Sequence, residues 1–141
     1  MKNTLDSIAL TMLRPALSPL QLMQLCRQAG DATALVDNYD RLEEVLPSPS
    51  DKLKTVFQSM PDALDRAKME LDFCEKHQIQ VLIPTDTAYP QRLKNCEDAP
   101  LVLYYRGNAD LNSARIINII GTRRCTFYGQ EIIKNFIKSC I

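Results

Sequence analysis

The chain has 141 residues, of which 45% are hydrophobic and 24% charged, with equal numbers of basic and acidic side chains. This composition is typical of a globular chain with one ordinary domain, or with a small domain plus part of another. It excludes a uniformly basic nucleic-acid-binding protein. No apolar run approaches the roughly 20 residues that span a bilayer, and no signal peptide is recognisable, so we expect a cytoplasmic protein without membrane contact.

Five cysteines occur, at positions 26, 74, 96, 125 and 140. Their odd number and the lack of a C-x-x-C pair argue against a disulfide framework and against a zinc site. The single histidine, His77, has no carboxylate or thiol at a useful spacing, and no nucleophile–base pair is recognisable. The sequence therefore predicts a protein that is not an enzyme and that needs no metal or cofactor.

Charge is distributed unevenly along the chain. Residues 1–91 contain nine Lys and Arg against thirteen Asp and Glu, whereas residues 92–141 contain eight against four. Such a split also arises by chance in short segments, but it makes the C-terminal third the first place to look for an anionic ligand.

The first 78 residues have the periodicity of short helices. The clearest helix begins after Ser18, where Pro19 fits the first turn, Gln21 completes an S-x-x-Q capping box, and Gly30 is suited to the end. Further helices are expected over residues 5–12, 31–38, 40–46, 51–60 and 62–78. We predict that residues 1–78 form a small all-helical N-terminal domain.

From residue 79 the pattern changes to short β-branched runs. Residues 79–83, 101–105 and 115–120 are predicted to be strands, and the third has the near-continuous apolar character of a buried parallel strand. Apolar positions return to helical spacing from about Gly129. We therefore predict an α/β chain in which residues 79–141 form the incomplete start of a Rossmann-like, parallel-sheet, DNA-binding domain.

The turn after the third predicted strand contains the residues best suited to bind a phosphate group. Gly121 permits close approach of a phosphate, Thr122 offers a hydroxyl, and Arg123 and Arg124 can each hold phosphate oxygens in bidentate fashion. A helix that begins just beyond them would add free N–H groups and a partial positive charge. A G-x-G-x-x-G dinucleotide loop would need glycine at Arg123 and Thr126, so a polymer phosphate or a phosphosugar fits better than a pyrophosphate.

This turn alone also fits an α/β domain without an anion site, since one glycine and a few charges at a strand end are common. Three ordered motifs make the pattern more specific. They are the turn Tyr89-Pro90-Gln91-Arg92-Leu93, the run D-A-P-L-V-L-Y-Y-R-G-N over residues 98–108, and the run G-T-R-R-C-T-F-Y-G over residues 121–129. In this order and spacing they resemble the start of the core of the DprA (Smf) family of DNA-processing proteins.

The resemblance implies a protein of DNA uptake and natural transformation that binds single-stranded DNA. Such a protein protects incoming DNA, helps to load the RecA recombinase, and forms a homodimer when complete. Carried over by position, the resemblance assigns DNA-phosphate binding to Gly121, Thr122 and Arg123, with Arg124 as a supporting charge. The later motifs of the family, with the rest of the DNA pocket and the dimer contact, are expected beyond residue 141.

Two further residues belong to the third motif. We expect Tyr128 to pack against the sheet at the start of the helix. We expect Gly129 to allow close approach between helix and strand.

The N-terminal segment departs from the family pattern. Many relatives carry a helix-hairpin-helix-like turn with glycines, whereas residues 13–19 contain no glycine. A turn without glycine cannot easily present consecutive N–H groups to a phosphate. We expect residues 1–78 to be a degenerate helix-hairpin-helix or SAM-like domain that does not bind DNA, and a role as a protein-interaction module stays open.

An enzymatic alternative also stays open. Nucleotide-processing phosphoribohydrolases of the "lonely guy" type share a related Rossmann-like core, and Thr122 with Arg123 could hold a nucleotide phosphate there. Their acidic and arginine motifs come later in the chain, and a helical domain of this kind does not normally precede their cores. Both points favour DNA binding.

Overall fold

The structure is a computed structural model that describes residues 1–13 and 15–140. The described chain is mostly helical, with one small sheet near the middle. In chain order the elements are α1 (Lys2–Met12), α2 (Pro19–Ala29), α3 (Ala32–Asp37), a 3₁₀ turn (Leu42–Glu44), α4 (Asp51–Phe57), α5 (Met60–Lys76), β1 (Gln80–Leu82), α6 (Gln91–Lys94), β2 (Leu103–Tyr105) and α7 (Phe127–Cys140).

The boundaries of α2 follow from local sequence signals. The Ser18 hydroxyl accepts a hydrogen bond from the Gln21 N–H at 3.3 Å, and the Gln21 side-chain oxygen accepts one from the Ser18 N–H at 2.9 Å. Gly30 ends the helix with a φ of +103°, a conformation that suits glycine. The predicted capping box and glycine stop are confirmed, while Arg14 lies outside the described residues.

The hydrophobic core is built around α1. Its residues Ile8, Ala9 and Leu10 are fully buried. Side chains from other helices close around them, among them Leu22, Leu35, Phe57, Met60 and Ala67, and the strand-forming part adds Ile83, Ala99, Leu101 and Val102. The helical segment and the residues flanking the sheet therefore share one core, in which each buried Leu or Ile contributes about 1.5–3 kcal/mol.

A polar contact ties α1 to α3 beside this core. Asp6 is 2% exposed, and its carboxylate accepts a hydrogen bond from the Thr33 hydroxyl at 2.8 Å. Lys2 lies 3.6 Å from the Asp6 carboxylate and 2.6 Å from that of Asp37. The buried charge of Asp6 is thus both hydrogen-bonded and paired, as a buried carboxylate requires.

Two helices differ from the prediction. Residues 40–46 form only the short 3₁₀ turn Leu42–Glu44, and α5 begins at Met60 with Pro61 in its first turn. The helix α5 ends at Lys76, and Gln78 beyond it has a φ of +56°, which a continuing helix cannot accommodate. The longest predicted helix is confirmed in position.

The sheet consists of β1 and β2, paired antiparallel with Val81 opposite Tyr104. The predicted parallel arrangement is wrong for these two strands. Two short strands separated by a loop and one helical turn can lie antiparallel without the long crossover that parallel strands need.

The predicted third strand is also wrong for this structure. Residues 115–120 have no regular secondary structure, and Ile117 and Ile120 are 68% and 92% exposed. A buried parallel strand needs strand neighbours and helices over both faces. Among residues 1–13 and 15–140 only β1 and β2 pair with each other, so the isoleucines have no strand to join.

Candidate nucleic-acid interface

The first family-like motif has a structural role. Tyr89 is fully buried, and its hydroxyl donates a hydrogen bond to the Pro100 carbonyl at 2.7 Å. Burial raises the pKa of this phenol above its ordinary value, so it stays protonated and able to donate. Tyr89 thereby joins the Tyr-Pro turn to the start of the second motif.

A second set of contacts begins with Arg92. Its guanidinium donates hydrogen bonds to the carbonyls of Ser113 and Ala114, each at 3.1 Å. The chain just before the candidate DNA-binding residues is therefore fastened to α6.

Asn112 completes this fastening. Its side-chain oxygen accepts a hydrogen bond from the Gln91 N–H at 2.8 Å, and its amide nitrogen donates to the carbonyls of Thr87 and Tyr89, each at 3.1 Å. We call Arg92 and Asn112, with these partners, the bracket.

Sequence reasoning missed both bracket residues as positioning residues. Arg92 occupies a variable place in the Tyr-Pro motif, so the motif gives no sign of its role. The D-x-N spacing of Asp110 and Asn112 is a weak signal for a local turn, and the Asp110 carboxylate does accept a hydrogen bond from the Asn112 N–H at 2.8 Å.

The end of the second motif is also structural. Gly107 has a φ of +146°, which favours glycine, and a Cβ there would lie 3.2 Å from the Tyr105 hydroxyl. That hydroxyl donates a hydrogen bond to the Ala109 carbonyl at 2.9 Å. Gly107 therefore allows the chain to turn tightly after β2.

The four candidate phosphate-binding residues lie together on the surface. Gly121, Thr122, Arg123 and Arg124 are all exposed, and no regular element includes them. The Thr122 hydroxyl donates a hydrogen bond to the Arg124 carbonyl at 3.1 Å, which bends the chain locally. A Cβ at Gly121 would have no atom within 4 Å, so here the glycine leaves one side of the chain open.

The helix α7 begins directly after these residues, two positions earlier than predicted. The Thr126 hydroxyl accepts a hydrogen bond from the Gly129 N–H at 3.2 Å, and the Thr126 carbonyl accepts one from the Gln130 N–H at 3.1 Å. Thr126 therefore caps the helix. The N–H groups of Phe127 and Tyr128 have no intrahelical acceptor and are available to an anion.

The prediction that Tyr128 packs against the sheet, and Gly129 close to a strand, at the start of α7 is wrong. Tyr128 is 74% exposed, and Phe127 is 77% exposed. A Cβ at Gly129 would contact only the Thr126 hydroxyl, at an ordinary 3.5 Å, so no strand approaches this glycine. The cause is the missing third strand, against which both residues would have packed.

The surface around these residues is electropositive. Residues 115–140 contain five Lys and Arg against one acid, Glu131, which pairs with Lys134 at 3.0 Å. Within the described part of the chain, neither Arg123 nor Arg124 takes part in a salt bridge. Both guanidiniums can therefore bind an anion without first giving up a protein partner.

None of the described helices combines the length and the apolar character needed to cross a bilayer. No group of three or more His, Cys, Asp or Glu side chains in residues 1–13 and 15–140 is arranged to hold a metal ion.

Residues 80–141 match the protein family described as DNA recombination-mediator protein A. Over these residues the chain is similar to the DprA family. The match includes all three motifs, both bracket residues and the four candidate phosphate-binding residues.

A curated DprA protein gives a second match. The chain is 29% identical over 83 residues to the DNA processing protein DprA of Streptococcus pneumoniae. The alignment covers 59% of this chain and 28% of that relative, so the chain spans less than a third of the relative's length. No solved structure gave a significant match.

Proposed function

We propose that the chain binds the sugar–phosphate backbone of single-stranded DNA through residues 121–124 and the first turn of α7. One observation carries this proposal: two exposed arginines without salt-bridge partners in the described chain, Arg123 and Arg124, lie within a few residues of the start of a helix with open N–H groups. Guanidinium groups grip phosphate in bidentate fashion, and a helix N-terminus adds N–H donors and a partial positive charge.

These groups recognise phosphate and not bases. The loop offers a hydroxyl, two guanidiniums and backbone N–H groups, all of which contact phosphate in protein–DNA complexes. We therefore infer binding with little sequence preference. Base stacking on the exposed ring of Phe127 or Tyr128 would add affinity without adding sequence specificity.

The wider role rests on the family and on the relative's name. We propose that the complete protein is a non-enzymatic, cytoplasmic DNA-processing protein of natural transformation, which protects incoming single strands and helps to load a RecA recombinase as a homodimer. We further propose that residues 79–141 belong to the start of a Rossmann-like domain. In this proposal residues 1–78 form the helical domain that packs against it.

The test is the substitution Arg123→Ala in the 141-residue chain. We expect weaker binding of fluorescent single-stranded oligonucleotides, with a similar loss for poly-dT and for mixed sequences. The slope of log K against log salt should fall by about 0.7, the increment for one single-strand phosphate contact. Arg123→Lys should restore part of the affinity, because an ammonium group cannot bind phosphate in bidentate fashion.

Arg124→Ala and Arg66→Ala serve as comparisons. Arg124→Ala should have a smaller effect than Arg123→Ala if Arg124 acts only as a nearby charge. Arg66 is exposed on α5, away from residues 121–124 in sequence, and its replacement should leave the salt slope unchanged. Equal affinity and equal slope for folded Arg123→Ala and for the parent chain would contradict the proposal and favour a nucleotide-processing enzyme.

A further inference from the structure

A cavity lies where the helical segment meets the residues that flank the sheet. Its volume is about 210 Å³. A smaller apolar cavity of about 150 Å³ is large enough to hold benzene. The walls come from α1, α2, the turn before α3 and the residues next to β1 and β2, so the cavity joins the two parts of the chain.

Most of the wall is apolar. Met23, Cys26 and Ala32 form the helical side, and Ile83 and Leu101 form the opposite side; all five are less than a tenth exposed. Burial raises the pKa of the Cys26 thiol to about 12, so the wall carries a neutral thiol and no thiolate. An apolar ligand body would therefore meet no buried charge on these walls.

Ser7 is the buried polar side chain of the wall. Ser7 is 1% exposed and lines the cavity, yet its hydroxyl makes no hydrogen bond with any described residue. No fully enclosed side-chain oxygen or nitrogen in the described chain lacks a partner, and since Ser7 lines the cavity, we infer that its hydroxyl is reached from there. A buried hydroxyl without a protein partner costs free energy unless something else binds it.

Two basic residues, Arg27 and Lys94, also line the cavity and are exposed. Within the described residues neither side chain makes a salt bridge or hydrogen bond. Asp31 lines the cavity as well, and its carboxylate caps α3 by accepting the Ala34 N–H at 2.8 Å but keeps its negative charge. The cavity therefore has an apolar interior, and the charged side chains around it are two cations and one carboxylate, with a net charge of +1.

We propose that this cavity binds a small carboxylate with an aromatic or branched aliphatic body. The body fills the space between Met23 and Leu101, the Ser7 hydroxyl donates a hydrogen bond to a ligand oxygen, and Arg27 and Lys94 attract the carboxylate. A nucleotide fits less well, because the apolar walls leave the polar edge of a base without hydrogen-bond partners. Binding here is independent of the phosphate-binding residues 121–124.

The experiment uses 3-phenylpropionate as the probe and the whole 141-residue chain. Backbone amide shifts in ¹H–¹⁵N spectra should move for residues 7, 26, 32, 83 and 101, and the melting temperature should rise with probe concentration. The neutral analogue 3-phenylpropan-1-ol should bind more weakly. Thymidine 5′-monophosphate should not shift the same amides.

Two double substitutions test whether the cations at the cavity, and not surface charge elsewhere, increase the affinity for 3-phenylpropionate. Arg27→Gln with Lys94→Gln should weaken binding of 3-phenylpropionate about threefold or more, the effect expected for losing two partly exposed charge contacts. Arg66→Gln with Lys76→Gln removes two exposed cations from α5 that do not line the cavity, and should leave the affinity unchanged. All four residues are exposed, so both variants are expected to fold.

Ser7→Ala tests the hydroxyl separately. It should weaken binding of 3-phenylpropionate and leave the folded chain at least as stable, since an unpartnered hydroxyl is removed. Three results would overturn the proposal: no shift of the cavity amides at millimolar probe, equal affinity for the neutral alcohol, or tighter binding of thymidine 5′-monophosphate than of 3-phenylpropionate.

Discussion

At the residue scale, Tyr89 shows how a motif residue can act on a distant site without contacting it. The ring is fully buried and the hydroxyl reaches the Pro100 carbonyl. The bracket residues Arg92 and Asn112 then hold the chain at Ser113 and Ala114. These contacts fix the chain at Ser113 and Ala114, from which the segment that carries the arginine motif leaves.

The substitution Tyr89→Phe tests this role. It removes the donor to the Pro100 carbonyl, and leaving that carbonyl unpaired should lower the free energy of unfolding by about 1–3 kcal/mol. Tyr105→Phe is the matched control, because its hydroxyl bonds the Ala109 carbonyl in an exposed turn. Urea denaturation should show a clearly smaller loss for Tyr105→Phe, and equal losses would contradict the assigned role of Tyr89.

The cysteines provide a second residue-scale prediction. Cys26 and Cys74 are buried, whereas Cys96, Cys125 and Cys140 are exposed. Burial raises the pKa of both buried thiols, that of Cys26 to about 12. Iodoacetamide at pH 8 should therefore modify the three exposed cysteines of the folded chain first, which peptide mass spectrometry can measure.

The raised pKa of Cys26 also determines how the stability of the folded chain changes with pH. The folded-state pKa of Cys26 is above that of a free thiol, so its contribution to stability is fully present at neutral pH. It is lost between about pH 8.5, where free thiols ionise, and about pH 12. Rapid alkylation of Cys26 at pH 8 in the folded chain would contradict the described burial.

At the element scale, elements set by neighbouring residues were predictable from the sequence, and elements that depend on distant partners were not. Ser18, Gln21 and Gly30 lie within one helix and its ends, so the sequence could predict α2 almost to the residue. The run around Ile117 and Ile120 has the composition of a buried strand, but burial depends on partners elsewhere. Its apolar character is real, and its secondary structure could not be predicted from the run itself.

The same distinction between local and long-range patterns applies to the residues of the candidate site. Arg123 and Arg124 were recognisable as exposed cations before a helix, and the structure places them there. The contacts of Arg92 and Asn112 join residues more than 20 positions apart, and no local pattern predicts such contacts. Sequence reasoning therefore found the residues that face the solvent and missed those that position them.

The capping box gives an element-scale prediction. Ser18→Ala should lower the free energy of unfolding by about 1 kcal/mol, the usual value for a lost N-cap side chain. Ser59→Ala is the control, because Ser59 precedes α5 but makes no side-chain cap bond. Thermal melts followed by circular dichroism should rank the two variants in this order, and the reverse order would show that α2 does not depend on its cap.

At the scale of the whole molecule, one core serves both the helices and the sheet, while the last quarter of the chain lies outside it. Residues 83, 99, 101 and 102 pack with the helices, whereas α7 buries none of its side chains. Several large apolar side chains of residues 116–137 are exposed, among them Ile117, Ile120, Phe127 and Ile132. Exposed apolar side chains in this number favour association when they form a patch.

We therefore expect the chain to self-associate as its concentration rises. Replacing Ile117 and Ile120 together by Asp should reduce this association in sedimentation velocity and leave the melting temperature unchanged, since neither side chain belongs to the core. Met69→Asp is the control, because Met69 is 70% exposed on α5 and lies elsewhere. Undiminished association of the double variant would show that another surface is responsible.

The bracket also sets a limit on distance. It holds the chain at Ala114, and Arg123 lies nine steps further along the chain, so the two can be no more than about 30 Å apart even in a fully extended chain. If Arg123 binds DNA as we propose, the strand is held within that distance of Ala114 and of α6. Any partner that docks on the helices is brought to the same strand at a high effective concentration, without contacting the DNA itself.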